Sequence, residues 1–187
     1  AVTLISSQAY AFDDHACHLM THNHSWYRAL RRSHMRYGIP ENVILAVIAQ
    51  ESSFVRGARP KRSRILWIIP WKRLSSAKGY AQVLDATWSD YRHKSGRYFA
   101  NRYRFTDAVD FIGWQLRNAN QHLALDVNDA FHLYLAYHEG EKGYQQKTYL
   151  RRANVSVIAE KVARRSDRYA KQLQQCHPSI FWRLTGL

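Results

Sequence analysis

The stretch "VILAVIAQESSF", residues 43 to 54, constrains the fold more than any other part of the chain. Seven consecutive apolar residues, Val43 to Ala49, must head into a core, yet the run delivers a carboxylate, Glu51, to its edge. An ionised carboxylate in that position carries a desolvation cost unless a partner or a function offsets it. Either Glu51 turns out to solvent, or its enclosure is put to use.

A chain of 187 residues, 46% hydrophobic and 13% aromatic, is long enough for one domain with a full core. Apolar residues recur three and four apart while strand-like alternation is scarce, so the expected fold class is all-α with at most a small β-hairpin. No repeat, low-complexity tract or linker divides the chain. One helical domain is placed at residues 13–177, between a lead segment 1–12 and a tail 178–187. No apolar stretch approaches the roughly 20 residues that span a bilayer, so the chain as given reads as soluble. Its start at Ala1 suggests a processed or trimmed product.

Turn signals cut the chain into helices of ordinary length. A short one follows Asp14 to about His22; Ser25 caps a second carrying Trp26, Leu30 and Tyr37 to Gly38. Pro40 suits the first position of the helix ending near Glu51. Residues 52 to 79, broken by Gly57, Pro60, Pro70 and Gly79, read as an irregular loop with a hairpin around Ile65 to Trp71. Asp85 or Thr87 caps a helix ending at Gly96, and Thr106 another carrying Val109, Ile112, Leu116 and Leu123. Asn128 opens a helix stopped by Gly140. The last begins at Asn154, with Val155, Ile158, Val162, Tyr169 and Leu173 inward and Lys161, Arg164, Arg165, Arg168 and Lys171 mostly outward.

The net charge of +14 draws the chain toward polyanions or anionic surfaces, among which charge alone does not choose. No helix-turn-helix or single-strand-binding pattern accompanies it, so nucleic acid is not the expected partner. Two cysteines, Cys17 and Cys176, are too few for a zinc site and too far apart for a redox motif. They either form a disulfide stapling the two ends of the domain, which implies an oxidising compartment, or are two buried thiols, since Cys176 continues the apolar face of the last helix. His15, His18, His22 and His24 lack supporting cysteines or carboxylates and read as a polar surface, so no metal is expected.

Three segments carry the chemistry: "QESSF" with Glu51, "GYAQVLDATW" from Gly79 to Trp88, and "LAYHEG" from Leu135 to Gly140. In this order and at these separations they resemble the soluble-type lytic transglycosylases. The goose-lysozyme-like domain of that family shows Glu-Ser-x-Phe, then Gly-Leu-Met-Gln followed by Thr, then Ala-Tyr-Asn-x-Gly. The resemblance covers about residues 25 to 175. It looks closest to a branch with an "IPWK" loop and "AYHEG", and "DAVDFIGW" from Asp107 to Trp114 is similar to that branch too.

The resemblance implies an all-α, lysozyme-like fold and cleavage of the β-1,4 bond between N-acetylmuramic acid and N-acetylglucosamine in peptidoglycan, with no cofactor. Glu51 falls on the family's general acid, which then takes back a proton as the substrate's own 6-hydroxyl closes a 1,6-anhydro ring. Apolar surroundings that raise a carboxyl pKa suit that role. By the same resemblance Tyr137 hydrogen-bonds the acid, and Gln82 contacts the sugar beside the cut. Ser52 either binds Glu51 or substrate or satisfies the helix terminus. Two motifs depart from the family: Tyr80-Ala81 replaces Leu-Met in the second, and His138 replaces Asn in the third. Tyr80 either stacks on a sugar or packs, and His138 changes the hydrogen bonding offered to substrate. Glu139, Asp85 and Asp90 are the nearest candidates for a second carboxylate.

The loop from Arg56 to Lys78 carries eight Lys and Arg around Ile65, Trp67, Ile68, Ile69 and Trp71. It reads as a flap beside the glycan cleft, as a contact for a membrane surface, or as a loop whose aromatics close the core. The partner implied is peptidoglycan, with an envelope or secretion-system protein as a further one, for an exported monomer of the bacterial periplasm or cell envelope. A water-using muramidase on the same fold and a non-catalytic glycan binder are the competing readings.

Overall fold

The apolar run becomes the central helix of an all-α fold. A computed structural model of the protein describes residues 14–59, 62–65, 69–73 and 76–185. In it α3 (Glu41–Ser52) has Val43 to Ile48 fully buried and Ala49 nearly so. Burying a branched side chain of this kind contributes about 1.5–3 kcal/mol, so this run anchors α3 firmly beneath the site. Pro40 takes the N-cap, one place before the expected first turn, and Ser53 closes the helix in a left-handed conformation with its N–H donating to Ala49 O.

Around α3 stand α2 (His24–Tyr37), α5 (Phe105–Leu123) and α7 (Ala153–Thr185); α1 (Ala16–His22) packs on α2 and α7, and α4 (Asp85–Lys94) and α6 (Ala130–Gln145) complete the bundle. A short 3-10 turn, Thr148–Arg151, links α6 to α7. The helices α2 and α5 cross closely because residue 113 is glycine: a Cβ there would come within 2.2 Å of Ser33 Oγ and 2.7 Å of the Tyr37 ring. Ser33 Oγ donates to Val109 O across the same crossing.

The strands β1 (Arg62–Ile65) and β2 (Ile69–Arg73) form a two-stranded antiparallel hairpin in the expected place, pairing Arg62 with Arg73 and Ile65 with Ile69. Trp67 and Ile68 of the basic loop lie outside the described residues, as does the lead segment 1–12. The flap and membrane readings of residues 56 to 78 fall largely there.

Several expected caps are corrected. Ser25 lies inside α2, whose N-cap is Asn23; Thr106 lies inside α5, whose N-cap is Arg104; and neither Asp85 nor Thr87 caps α4. The Asp85 backbone N–H is satisfied from outside by Ser76 Oγ, and the Asp85 carboxylate pairs with Lys78 and Arg102. For α6 the cap is Asp129, whose side chain accepts from His132 N, because Asn128 is drawn into a turn on Asp126.

The helix α7 buries Val155, Val162, Tyr169 and Leu173 as expected and exposes Lys161, Arg164, Arg168 and Lys171. At 33 residues it is about 50 Å long and runs past residue 177, so the boundary expected there falls within a helix. Cys17 and Cys176 are joined in a disulfide that ties α1 to α7, which removes the free-thiol alternative. Asp14 reinforces the same junction through Arg165, Arg168 and the Tyr169 hydroxyl. No helix among the described residues is long and apolar enough to cross a membrane.

Candidate active site

Glu51 sits on the last turn of α3, delivered by the buried run to a pocket of about 520 Å³. The three motif segments meet there: Gln82 from the loop before α4, and Tyr137, His138, Glu139 and Gly140 from α6. A floor of apolar side chains desolvates the Glu51 carboxyl and pushes it up to about 7, against a smaller opposing pull from a tyrosine hydroxyl. Much of the population thus carries the proton near neutrality, as a general acid requires.

The tyrosine is Tyr134, not Tyr137. Tyr134 is 2% exposed and its hydroxyl donates to Glu51 Oε1 at 2.9 Å. Tyr137 lines the pocket beside it, but its hydroxyl donates to Ala81 O at 2.6 Å, fastening α6 to the second motif. Tyr134 lies one helical turn before Tyr137 in "YLAY", so two tyrosines three apart on one face were the available signal.

Gln82 adopts a positive φ of 45° and its amide nitrogen donates to both Ala58 O and Gly79 O at 2.8 Å. Its side-chain oxygen makes no hydrogen bond among the described residues, so Gln82 offers the pocket an acceptor. Ser53 and Phe54, two and three residues after Glu51, also have positive φ. Non-glycine backbone in this region is costly and survives where surrounding structure holds it, as the packing of Phe54 against Trp26 and Phe105 does here.

Ser52 and Tyr80 are corrected as substrate contacts. Ser52 Oγ donates back to Ile48 O and is buried, satisfying the helix terminus and lying off the pocket lining. Tyr80 is 8% exposed and packs edge-on against Trp26 and Phe105 in the core.

His138 lines the pocket with its Nδ1 3.0 Å from Glu139 Oε1, which leaves Nε2 as the ring edge not engaged by Glu139. Since a carboxylate only accepts, Nδ1 carries the hydrogen. The Glu139 side chain is 3% exposed, with Arg152 also on Oε1 and the Thr148 hydroxyl donating to Oε2. Burial acts to raise its pKa, but Thr148, His138 and Arg152 together hold it below the usual carboxylate value. The pocket therefore contains one carboxyl kept protonated and one kept ionised. Asp85 and Asp90 do not line it; each is spent on neighbouring cations. Gly140, with φ 74° and ψ 162°, breaks α6 after this cluster, a conformation only glycine holds without strain.

Among the described residues no group of three or more His, Cys, Asp or Glu is placed to hold a metal ion. A family model described as a transglycosylase SLT domain matches residues 2–176. No curated protein and no solved structure matches the chain.

Proposed function

Because the chain belongs to the transglycosylase SLT domain family, which acts on peptidoglycan, we propose that it is a lytic transglycosylase cutting between N-acetylmuramic acid and N-acetylglucosamine. The observation that carries the reading is Glu51, a carboxyl raised to about 7 on the floor of a pocket built from all three motifs.

Glu51 donates its proton to the glycosidic oxygen as the C1–O bond breaks, and the N-acetyl group of the muramic acid stabilises the cation. The 6-hydroxyl oxygen then bonds to C1 while its proton passes to the Glu51 carboxylate, which regenerates the acid and leaves a 1,6-anhydro end. Tyr134 orients the carboxyl, and by the bond it donates steadies the ionised form between the two steps. Gln82 accepts from an amide or hydroxyl of the bound sugar, and the Nε2 edge of His138 faces the same ring.

A second reading, the water-using muramidase, is favoured by Glu139. Two carboxyl groups whose environments push their pKa values apart are the pattern of an acid and a base. The transglycosylase reading is preferred because the Glu139 side chain is only 3% exposed and its oxygens are already engaged by His138, Arg152 and Thr148, which leaves it poorly placed to activate water. The Cys17–Cys176 disulfide supports an oxidising site of action, as in the cell envelope.

The test is release of soluble muropeptides from purified sacculi by the parent and by Glu51→Gln. The parent is expected to release them and the variant to fall by at least about a thousandfold. Release by the variant at the parent's rate rejects Glu51 as the acid.

A further inference from the structure

A second face of the molecule shares no lining residue with the Glu51 pocket. At its centre two buried carboxylates, Asp107 and Asp110, hold a set of guanidinium groups in place. Arg36 lies 3.1 Å from Asp110, Arg97 lies 3.1 Å from Asp107 and 3.3 Å from Asp110, and Arg104 lies 2.8 Å from Asp107. Asp110 also accepts from the Tyr37 and Tyr91 hydroxyls. The side chains of Asp107 and Asp110 are 8% and 12% exposed, those of Arg36 and Arg104 54% and 57%. The negative charge is thus below the surface and the positive charge on it. Arg32, exposed one turn before Arg36, adds a further cation. Arg32, Arg36 and Arg97, with Ala29, Thr106 and the largely buried Asp110, surround a cavity of about 150 Å³, several times the roughly 30 Å³ share of one water and room enough for a phosphate group.

Arg97 also borders the loop that follows α4, and there Tyr98 is 51% and Phe99 94% exposed. This tip is braced: Arg104 donates to Phe99 O at 2.8 Å, Asn101 N to Asp107 at 2.8 Å, and Ala100 N to Arg97 O at 3.0 Å. The Tyr98 ring rests edge-on against His93. A whole phenylalanine held out in water beside a phosphate-sized arginine cradle is a pairing of apolar tip and cationic seat. A dissolved polyanion offers charge but no apolar phase to receive the ring. A bilayer surface offers both.

We propose that this face docks on an anionic phospholipid bilayer, with Arg32, Arg36 and Arg97 seating a lipid phosphate while Phe99 and Tyr98 enter the headgroup boundary. The contact is peripheral and independent of the chemistry at Glu51.

The test is co-sedimentation of the full chain with vesicles of phosphatidylglycerol and phosphatidylcholine, beside vesicles of phosphatidylcholine alone. The parent should bind the anionic vesicles and not the neutral ones. Phe99→Ser, which leaves the charge untouched and alters a side chain that supports no core, should weaken binding at least about fivefold, and Arg32→Gln about two- to threefold. Leu150→Ser and Lys161→Gln, exposed changes on another part of the surface, should leave it within error. Equal losses from these controls would reduce the attraction to general charge and overturn the proposal. So would undiminished binding by Phe99→Ser, binding of inorganic phosphate without vesicle binding, or a preference for a soluble polyanion that Phe99→Ser leaves unchanged.

Discussion

On the proposed reading, the Glu51 proton couples catalysis to stability. Its folded pKa of about 7 stands above the ordinary glutamate value of 4.5, so the fold holds the proton more tightly than the unfolded chain does. That stabilisation is fully present below about 4.5 and is lost as pH rises through about 7. Glu51→Gln keeps a neutral side chain at every pH, so it should match the parent near pH 4 and exceed it near pH 8 by on the order of 3 kcal/mol. Denaturant unfolding of both proteins across that range checks it. Activity should fall on the alkaline side as Glu51 ionises. Tyr134→Phe removes the hydrogen bond that lowers the Glu51 pKa, so the alkaline limb should move to higher pH while the maximal rate drops about tenfold. Tyr137→Phe instead frees Ala81 O and should weaken substrate affinity with the limb unmoved; a pH–rate series separates the two. Glu51, Gln82 and His138 were legible as motif positions and the structure gathers them in one pocket. The choice of Tyr134 over Tyr137 was not legible, since it depends on the phase of α6 and on where the carbonyl of Ala81 lies.

At the scale of elements, the three- and four-residue apolar spacing located the helices, but their ends followed tertiary contacts. A serine or threonine near a helix start signals a cap only when nothing nearer satisfies the backbone. The sequence could not show that Ser76 would serve α4 from nine residues away, or that Asp107 would be spent on Arg97, Arg104 and the Asn101 N–H. The crossing of α2 with α5 was equally hidden, because a helical glycine reads as a weakness until a neighbouring side chain is seen to fill its place. Gly113→Ala should cost about 1–3 kcal/mol by forcing Ser33 and Tyr37 apart, measured as a lowered urea midpoint. Ser33→Ala, which vacates the atom nearest to that Cβ, should recover part of the loss.

Over the whole molecule, one buried helix carries Glu51, the other helices pack about it and one another, and a disulfide closes a separation of 159 residues between the ends. In the chain-entropy account so long a loop is worth about 5 kcal/mol, so reduction or Cys176→Ser should lower stability by about 3–5 kcal/mol, read by calorimetry with and without reductant. The ends were legible as a candidate pair, and geometry decided between bridge and free thiols. The basic charge was legible too, but not its organisation, because the carboxylates that orient the arginines come from α5 and the guanidinium groups from α2 and the loop after α4. In the proposed mechanism Glu51 cleaves the glycan with the substrate's own hydroxyl in place of water. Digestion of sacculi in oxygen-18 water, read by mass spectrometry of the muramoyl ends, tests it most directly. Unlabelled 1,6-anhydro ends are expected from the parent and none from Glu51→Gln; labelled reducing ends from the parent would overturn the transglycosylase reading in favour of a muramidase.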